Sequence, residues 1–194
     1  MTVDVLRQPA PPSSLNENQP DKRAPMAAAP LVYNEDNSVA WERMWDSFCV
    51  LAAAGGPPHR ATLLAAQTAG NSALPSYQFA VDEIVRGIAL VSGLTAAPAA
   101  TGWVAIECGK PSKARWLSEQ IRQENVDSTW EATRCFVPVG DYFTIKGEIK
   151  NVVTAVAKTT HYWADHLAEP VKASLAWEEK LTALLERIQG WLRR

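Results

Sequence analysis

Residues 103–139 read WVAIECGKPSKARWLSEQIRQENVDSTWEATRCFVPV, and the choice of fold turns on them. Trp103 to Cys108 is a short apolar run rich in strand-forming residues, closed on both sides by Gly102 and Gly109. In the following PSKARWLSEQIRQEN, residues 111–125, Ala114, Leu117 and Ile121 fall on one face of a helix. Glu131 to Val139 is again β-type, with Thr133, Cys135, Phe136 and Val137. A strand, a helix of about thirteen residues and a second strand form the pattern of a right-handed βαβ unit with two parallel strands. Tyr142 to Ile145 adds a possible third strand after the turn residues Gly140 and Asp141.

Helical spacing dominates on either side of this unit. Trp41, Trp45, Phe48, Cys49 and Ala52 predict a helix over 39–54, capped by Asn37 or Ser38 and stopped by Gly55, Gly56, Pro57 and Pro58. Arg60 to Ala69 reads as a short second helix. Tyr77, Val81, Ile84, Val85, Ile88 and Val91 predict a third over 76–92, where Asp82 and Arg86 are spaced to pair on the wet side. The stretch 93–102, GLTAAPAATG, reads as a loop of small residues.

From Glu148, the positions Ile149, Val152, Val153, Val156, Ala157, Thr160, Trp163, Ala164 and Leu167 keep the 3.6-residue period. They predict one long helix, which Pro170 separates from a last helix. In that last helix Leu175, Leu181, Leu184, Leu185, Ile188, Trp191 and Leu192 form the expected buried stripe. The sum is a mainly helical α/β domain over 37–194, with about six helices around a small two- or three-stranded sheet containing one βαβ unit. So small a sheet is not stable alone, so the helices must supply most of the buried area. Residues 1–36 form a separate arm: residues 1–30 hold six of the thirteen prolines among Ser, Asn, Gln and Ala, a composition that favours extended, disordered chain. Its apolar cluster, Leu31, Val32 and Tyr33, is the expected docking point.

With 19 basic and 21 acidic residues, a formal charge of -2 argues against the clustered basic face that nucleic-acid binding needs. No window approaches the roughly 20 apolar residues of a membrane-spanning helix. The first 25 residues lack the pattern of a secretory signal, so the expected location is cytoplasmic. Three scattered cysteines, Cys49, Cys108 and Cys135, do not suggest a disulfide framework or a paired metal site.

Two places could hold chemistry. The first is the join ECGKPSK, where a helix N-terminus beyond a strand end presents free N–H groups to an anion. Lys110, Ser112 and Lys113 would add donors for an anionic small molecule, and Cys108 could be a thiolate nucleophile stabilised by that helix end. The plainer alternative is a solvated turn capped by Ser112. Neither the GxxxxGK[ST] nor the GxGxxG spacing is present.

The second place is the polar stripe Asn151, Thr154, Lys158, His161 and Asp165 on the long helix. Asp165 could orient His161 for acid–base work while Lys158 holds an anion, or the stripe could simply face water. His161 and Asp165 could share a metal, but His166 lies about 140° away from His161 on an ideal helix. A weaker reading is a haem or metal held through His161, His166 or His59, the last in an exposed basic corner.

Eight Trp residues, at 41, 45, 103, 116, 130, 163, 177 and 191, exceed ordinary usage. Trp41, Trp45, Trp163 and Trp191 fall on apolar faces; Trp116 and Trp177 do so less clearly, and could stack on a planar ligand or form an interface. No catalytic triad, nucleotide fingerprint or zinc spacing is present. The expected function is therefore a non-enzymatic intracellular accessory or binding protein, in a homo-oligomer or with a partner subunit. The rival is a small enzyme or ligand-binding protein for an anionic metabolite, its site shared between the 108–113 turn and the stripe of the 148–167 helix. No cofactor is implied.

Overall fold

Helix α1 spans Pro75–Ser92. Pro75 sits in its first turn, where the missing N–H has no helical partner to lose, and Gly93 ends it at a left-handed φ of 67°. Tyr77, Val81, Ile84, Ile88 and Val91 are buried along one face, as their spacing predicts. The computed structural model describes residues 30–46 and 60–192. The arm before residue 30, the second half of the expected 39–54 helix with Cys49, the GGPP corner and His59 lie outside the described residues; the first half holds a 3-10 turn, Trp41–Met44.

Four strands follow: β1 (Ala96–Pro98), β2 (Trp103–Glu107), β3 (Thr129–Glu131) and β4 (Arg134–Pro138). They form one sheet in the order β1-β2-β4-β3, with every neighbouring pair antiparallel. The expected pairing of parallel strands is therefore wrong. Helix α2 (Pro111–Gln123) does cross over from β2 to a strand running the same way, but that strand is β3, and β4 lies between them. The unit is split because the chain reverses at Ala132 and Thr133. Ala132 takes φ 50°, a left-handed conformation for which its side chain gives no sequence signal.

Val104 pairs with Val137 and Ile106 with Cys135; all four are buried on the face the helices cover. On the other face Trp103 and Phe136 stay half-buried, with the Arg134 guanidinium 5.5 Å from the centre of the Phe136 ring.

Residues 93–102 are not a simple loop, because β1 forms there by backbone pairing to β2. Arg60 to Ala69 is not a helix. Its backbone is held by other segments instead: the Leu64 amide donates to Asn125 O at 2.8 Å, and Leu64 O accepts from the Asp127 amide at 2.8 Å. Tyr142 to Ile145 is not a strand; after a turn at Gly140 the chain winds into a π-turn, Ile145–Ile149.

The expected long helix is divided into that π-turn, helix α3 (Lys150–His161) and a second π-turn, Tyr162–His166. Helix α4 (Glu169–Leu192) closes the chain with Pro170 inside its first turn. The described residues thus carry four α-helices rather than six. Helices α1 and α3 cross at Gly87, where an added Cβ would lie 2.7 Å from Val153 Cγ2. Only a glycine permits that approach.

The segment 30–46 locks onto α1. Tyr33 bridges Val39, and Trp41 is fully buried, its Nε1 donating to Glu83 Oε1 at 2.8 Å. Arg86 pairs with Glu83 at 2.6 Å rather than with Asp82, and also donates to Val39 O at 2.9 Å. Glu83 is chosen because it serves both Trp41 and Arg86.

Candidate functional site

The turn after β2 presents its helix end to the chain itself. The Ser112 amide, at the α2 N-terminus, donates to Glu179 Oε2 of α4 at 2.9 Å. A carboxylate at that position is what the free N–H groups and the helix dipole favour. Sequence reasoning expected an external anion there and missed Glu179, which lies 67 residues away in the chain. The Ser112 hydroxyl is not the cap: Lys110 occupies that position and no side chain makes the capping bond. Lys110 is exposed and Lys113 half-buried.

Cys108 is buried, and its Sγ lies 3.5 Å from Ile106 O. Burial pushes its thiol up to about 11, against a weaker opposing pull from the Cys135 backbone and from Lys113. The expected activation runs in the opposite direction. Desolvation of the charged form outweighs the nearby helix end. Cys135 is pushed up to about 12 for the same reason, with Ser128 Oγ 3.3 Å from its sulfur.

The polar stripe of α3 is mostly consumed inside the fold. Asn151 Nδ2 donates to Gly147 O at 2.8 Å, and the buried Thr154 hydroxyl donates to Lys150 O at 2.7 Å. Lys158 forms an ion pair with Glu124, the buried residue just after α2. Glu124 is the second partner missed from sequence, since nothing local marks a charge as destined for a buried pair.

Beyond Lys158, His161 Nδ1 is 2.9 Å from Asp165 Oδ2, as the i to i+4 spacing allows. His161 Nε2 is also 3.1 Å from His166 Nε2. The expected 140° separation of the two histidines fails because residues 162–166 are a π-turn, whose i to i+5 repeat stacks positions five apart. Trp45 packs against His161 with centroids 5.3 Å apart.

The turn and the stripe line different clefts. One, of about 240 Å³, lies between α2, α4 and β3, and includes Pro111, Ser112, Trp116, Trp130 and Leu175. The other, of about 290 Å³, includes Gln120, Glu124, Lys158, Tyr162 and His166. Trp116 borders both and packs on Trp163 at 5.4 Å. Cys108 lines neither. Among the described residues, no group of three or more His, Cys, Asp or Glu converges as a metal cluster, and no helix is long and apolar enough to cross a membrane.

An exposed apolar surface lies elsewhere. On α4, Trp177, Leu181, Leu184 and Leu185 are between 52% and 63% exposed. Of the expected buried stripe, Leu181, Leu184 and Leu185 are thus turned outward, whereas Leu175 is half-buried; the side chains of Ile188, Trp191 and Leu192 lie outside the described residues. The helix rests on α2 through its opposite face, where Leu175, Ala176 and Glu179 are half-buried. Compared with known protein families, curated proteins and solved structures, the chain matches none.

Proposed function

We propose that this protein is a non-enzymatic accessory protein that docks a partner protein along the outer face of α4. One observation carries the reading: a 24-residue helix keeps Trp177, Leu181 and Leu184 exposed at spacings of four and three. Ile188 and Trp191 continue that spacing in the sequence. A 4-3 apolar seam is what a second helix packs against, and exposed apolar patches of this kind mark interfaces.

Charge selects the partner. Lys180 and Arg187 flank one side of the seam, and Glu178 and Leu185 the other. A parallel second copy would set Lys180 beside an apolar Leu185, and an antiparallel copy would set it against Arg187. Self-pairing satisfies the basic flank in neither direction. A partner helix with an apolar seam flanked by carboxylates does.

The enzyme or anionic-ligand alternative requires more rearrangement. An incoming anion would displace Glu179 from the α2 N-terminus or break the Lys158–Glu124 pair.

The test is a fluorescence titration of the full chain with two designed helical peptides. Both carry a leucine seam; one is flanked by Glu, the other by Lys. Binding at least tenfold tighter for the Glu peptide, lost in Leu181→Ser/Leu184→Ser, is expected. A concentration-dependent dimer in sedimentation, disrupted by the same double variant, would replace the partner with a second copy. No binding and no self-association would overturn the docking reading altogether.

A further inference from the structure

We propose that the cleft between α2, α4 and β3 binds a quaternary ammonium group, a cation that carries carbon substituents in place of N–H donors. The site uses the inner side of α4 and does not depend on partner docking along its outer face.

Spacing builds the cleft. Ser112, Arg115, Trp116 and Glu119 follow at intervals of three, one and three and so share a face of α2. Leu175, Glu179 and Thr182 answer them from α4 at intervals of four and three. Trp130 closes the third side. It pairs with Cys135, whose side chain lies on the helix-covered face of the sheet, so the pleat turns the Trp130 indole to that same face. Because β3 is an edge strand, the indole stays 44% exposed. Two indoles, Trp116 and Trp130, thus border a space of about 240 Å³.

Charge decides the sign of the occupant. One guanidinium and two carboxylates line the cleft, those of Arg115, Glu119 and Glu179. Arg115 Nε donates to Glu119 Oε1 at 2.9 Å, and the charges of that pair cancel. Glu179 is met instead by the uncharged Ser112 amide. The partial positive charge of the α2 N-terminus offsets roughly half of the Glu179 charge, so the balance stays negative. A cation is therefore drawn in and an anion repelled.

Hydrogen-bonding capacity decides its kind. A primary ammonium brings three N–H donors, and a donor buried without a partner is costly. In this cleft one oxygen of each carboxylate is already taken, and the Thr182 hydroxyl donates to Glu178 O at 2.9 Å. Much of the remaining wall is apolar, from Pro111, Leu175, Ala183 and the two indoles. A quaternary ammonium has no donor to satisfy. Its methyl groups bury against the apolar wall, and indole is the aromatic face that attracts a cation most strongly.

The experiment titrates the full chain with choline and with its uncharged isostere, in which carbon replaces the nitrogen, by calorimetry and by the indole N–H resonances. One choline per chain is expected, bound roughly fivefold tighter than the isostere. Trp130→Leu, an exposed substitution that keeps an apolar residue in the strand, should lower the choline affinity by about the same factor. Glu119→Gln leaves Arg115 uncompensated and weakens binding, whereas Arg115→Gln strengthens it, a gain that a merely structural defect would not produce. A trimethyllysine peptide, titrated in parallel, separates the sources: tighter binding than choline assigns the head group to a modified protein side chain, weaker binding to a free small molecule, and either keeps the assignment. Binding of neither choline nor the peptide, or equal binding of the isostere, would overturn the proposal. Affinity undiminished in Trp130→Leu would place the cation elsewhere and overturn it equally.

Discussion

Helices α3 and α4 carry opposite surfaces in opposite places. Helix α3 has a polar stripe that looks made for water or a ligand, yet Asn151, Thr154 and Lys158 spend it on Gly147, Lys150 and Glu124 within the fold. Helix α4 has an apolar stripe that looks made for a core, yet Trp177, Leu181, Leu184 and Leu185 stand in the open. Periodicity tells which residues share a face. It does not tell which face meets a neighbour, because that depends on elements distant in the chain.

The contrast can be tested most sharply at Lys158. Lys158→Met takes one partner from the buried Glu124 carboxylate, and removing one partner of a buried pair costs about 3 kcal/mol. The double variant Lys158→Met/Glu124→Leu should recover most of that loss in chemical denaturation. If the single variant is as stable as the parent, α3's polar face is not an internal one.

Gly87→Ala probes the apolar side of the same helix. The new methyl would press on Val153, 2.7 Å away, and overpacking of this kind costs about 1–3 kcal/mol, read as a lowered melting temperature.

Where α4 meets α2, Glu179→Gln removes the charge held at the α2 N-terminus. The expected loss is about 0.3–1 kcal/mol, shrinking with added salt. A null effect at low salt would mean that α4 is tethered by apolar contact alone.

The smallest expected effect lies on α4 itself. Leu184→Ser should change stability by no more than about 0.5 kcal/mol, since the side chain is half exposed, while weakening partner binding. A loss of several kcal/mol instead would mean that the seam is already covered.

Much of the fold was legible locally. The α1 face from Tyr77 to Val91, the α2 face at Ala114, Leu117 and Ile121, and the β2 run all lie where periodicity puts them. The direction of β4 was not, because it rests on a reversal at Ala132, where the sequence has none of the glycine, asparagine or aspartate that announces a turn. β1 was missed because its residues have little strand character and are ordered by pairing to β2. In the candidate sites, the His161–Asp165 pair was legible from its i to i+4 spacing. The approach of His166 was not, because it needs a π-turn in place of the α-helix that the apolar pattern implies.

The sequence by itself determined a mixed α/β chain, the buried faces of α1, α2 and α3, and a charge balance unsuited to a broad phosphate-binding face. Tertiary structure alone decided that Glu179 answers the α2 N-terminus, that Glu124 takes Lys158, that Cys108 is held as a protonated thiol, and that Leu181, Leu184 and Leu185 of α4 face out. The physical reason is common to all four. Local spacing fixes what a side chain shares a face with, whereas its partner, its dielectric surroundings and its exposure come from groups brought together only when the sheet and helices assemble.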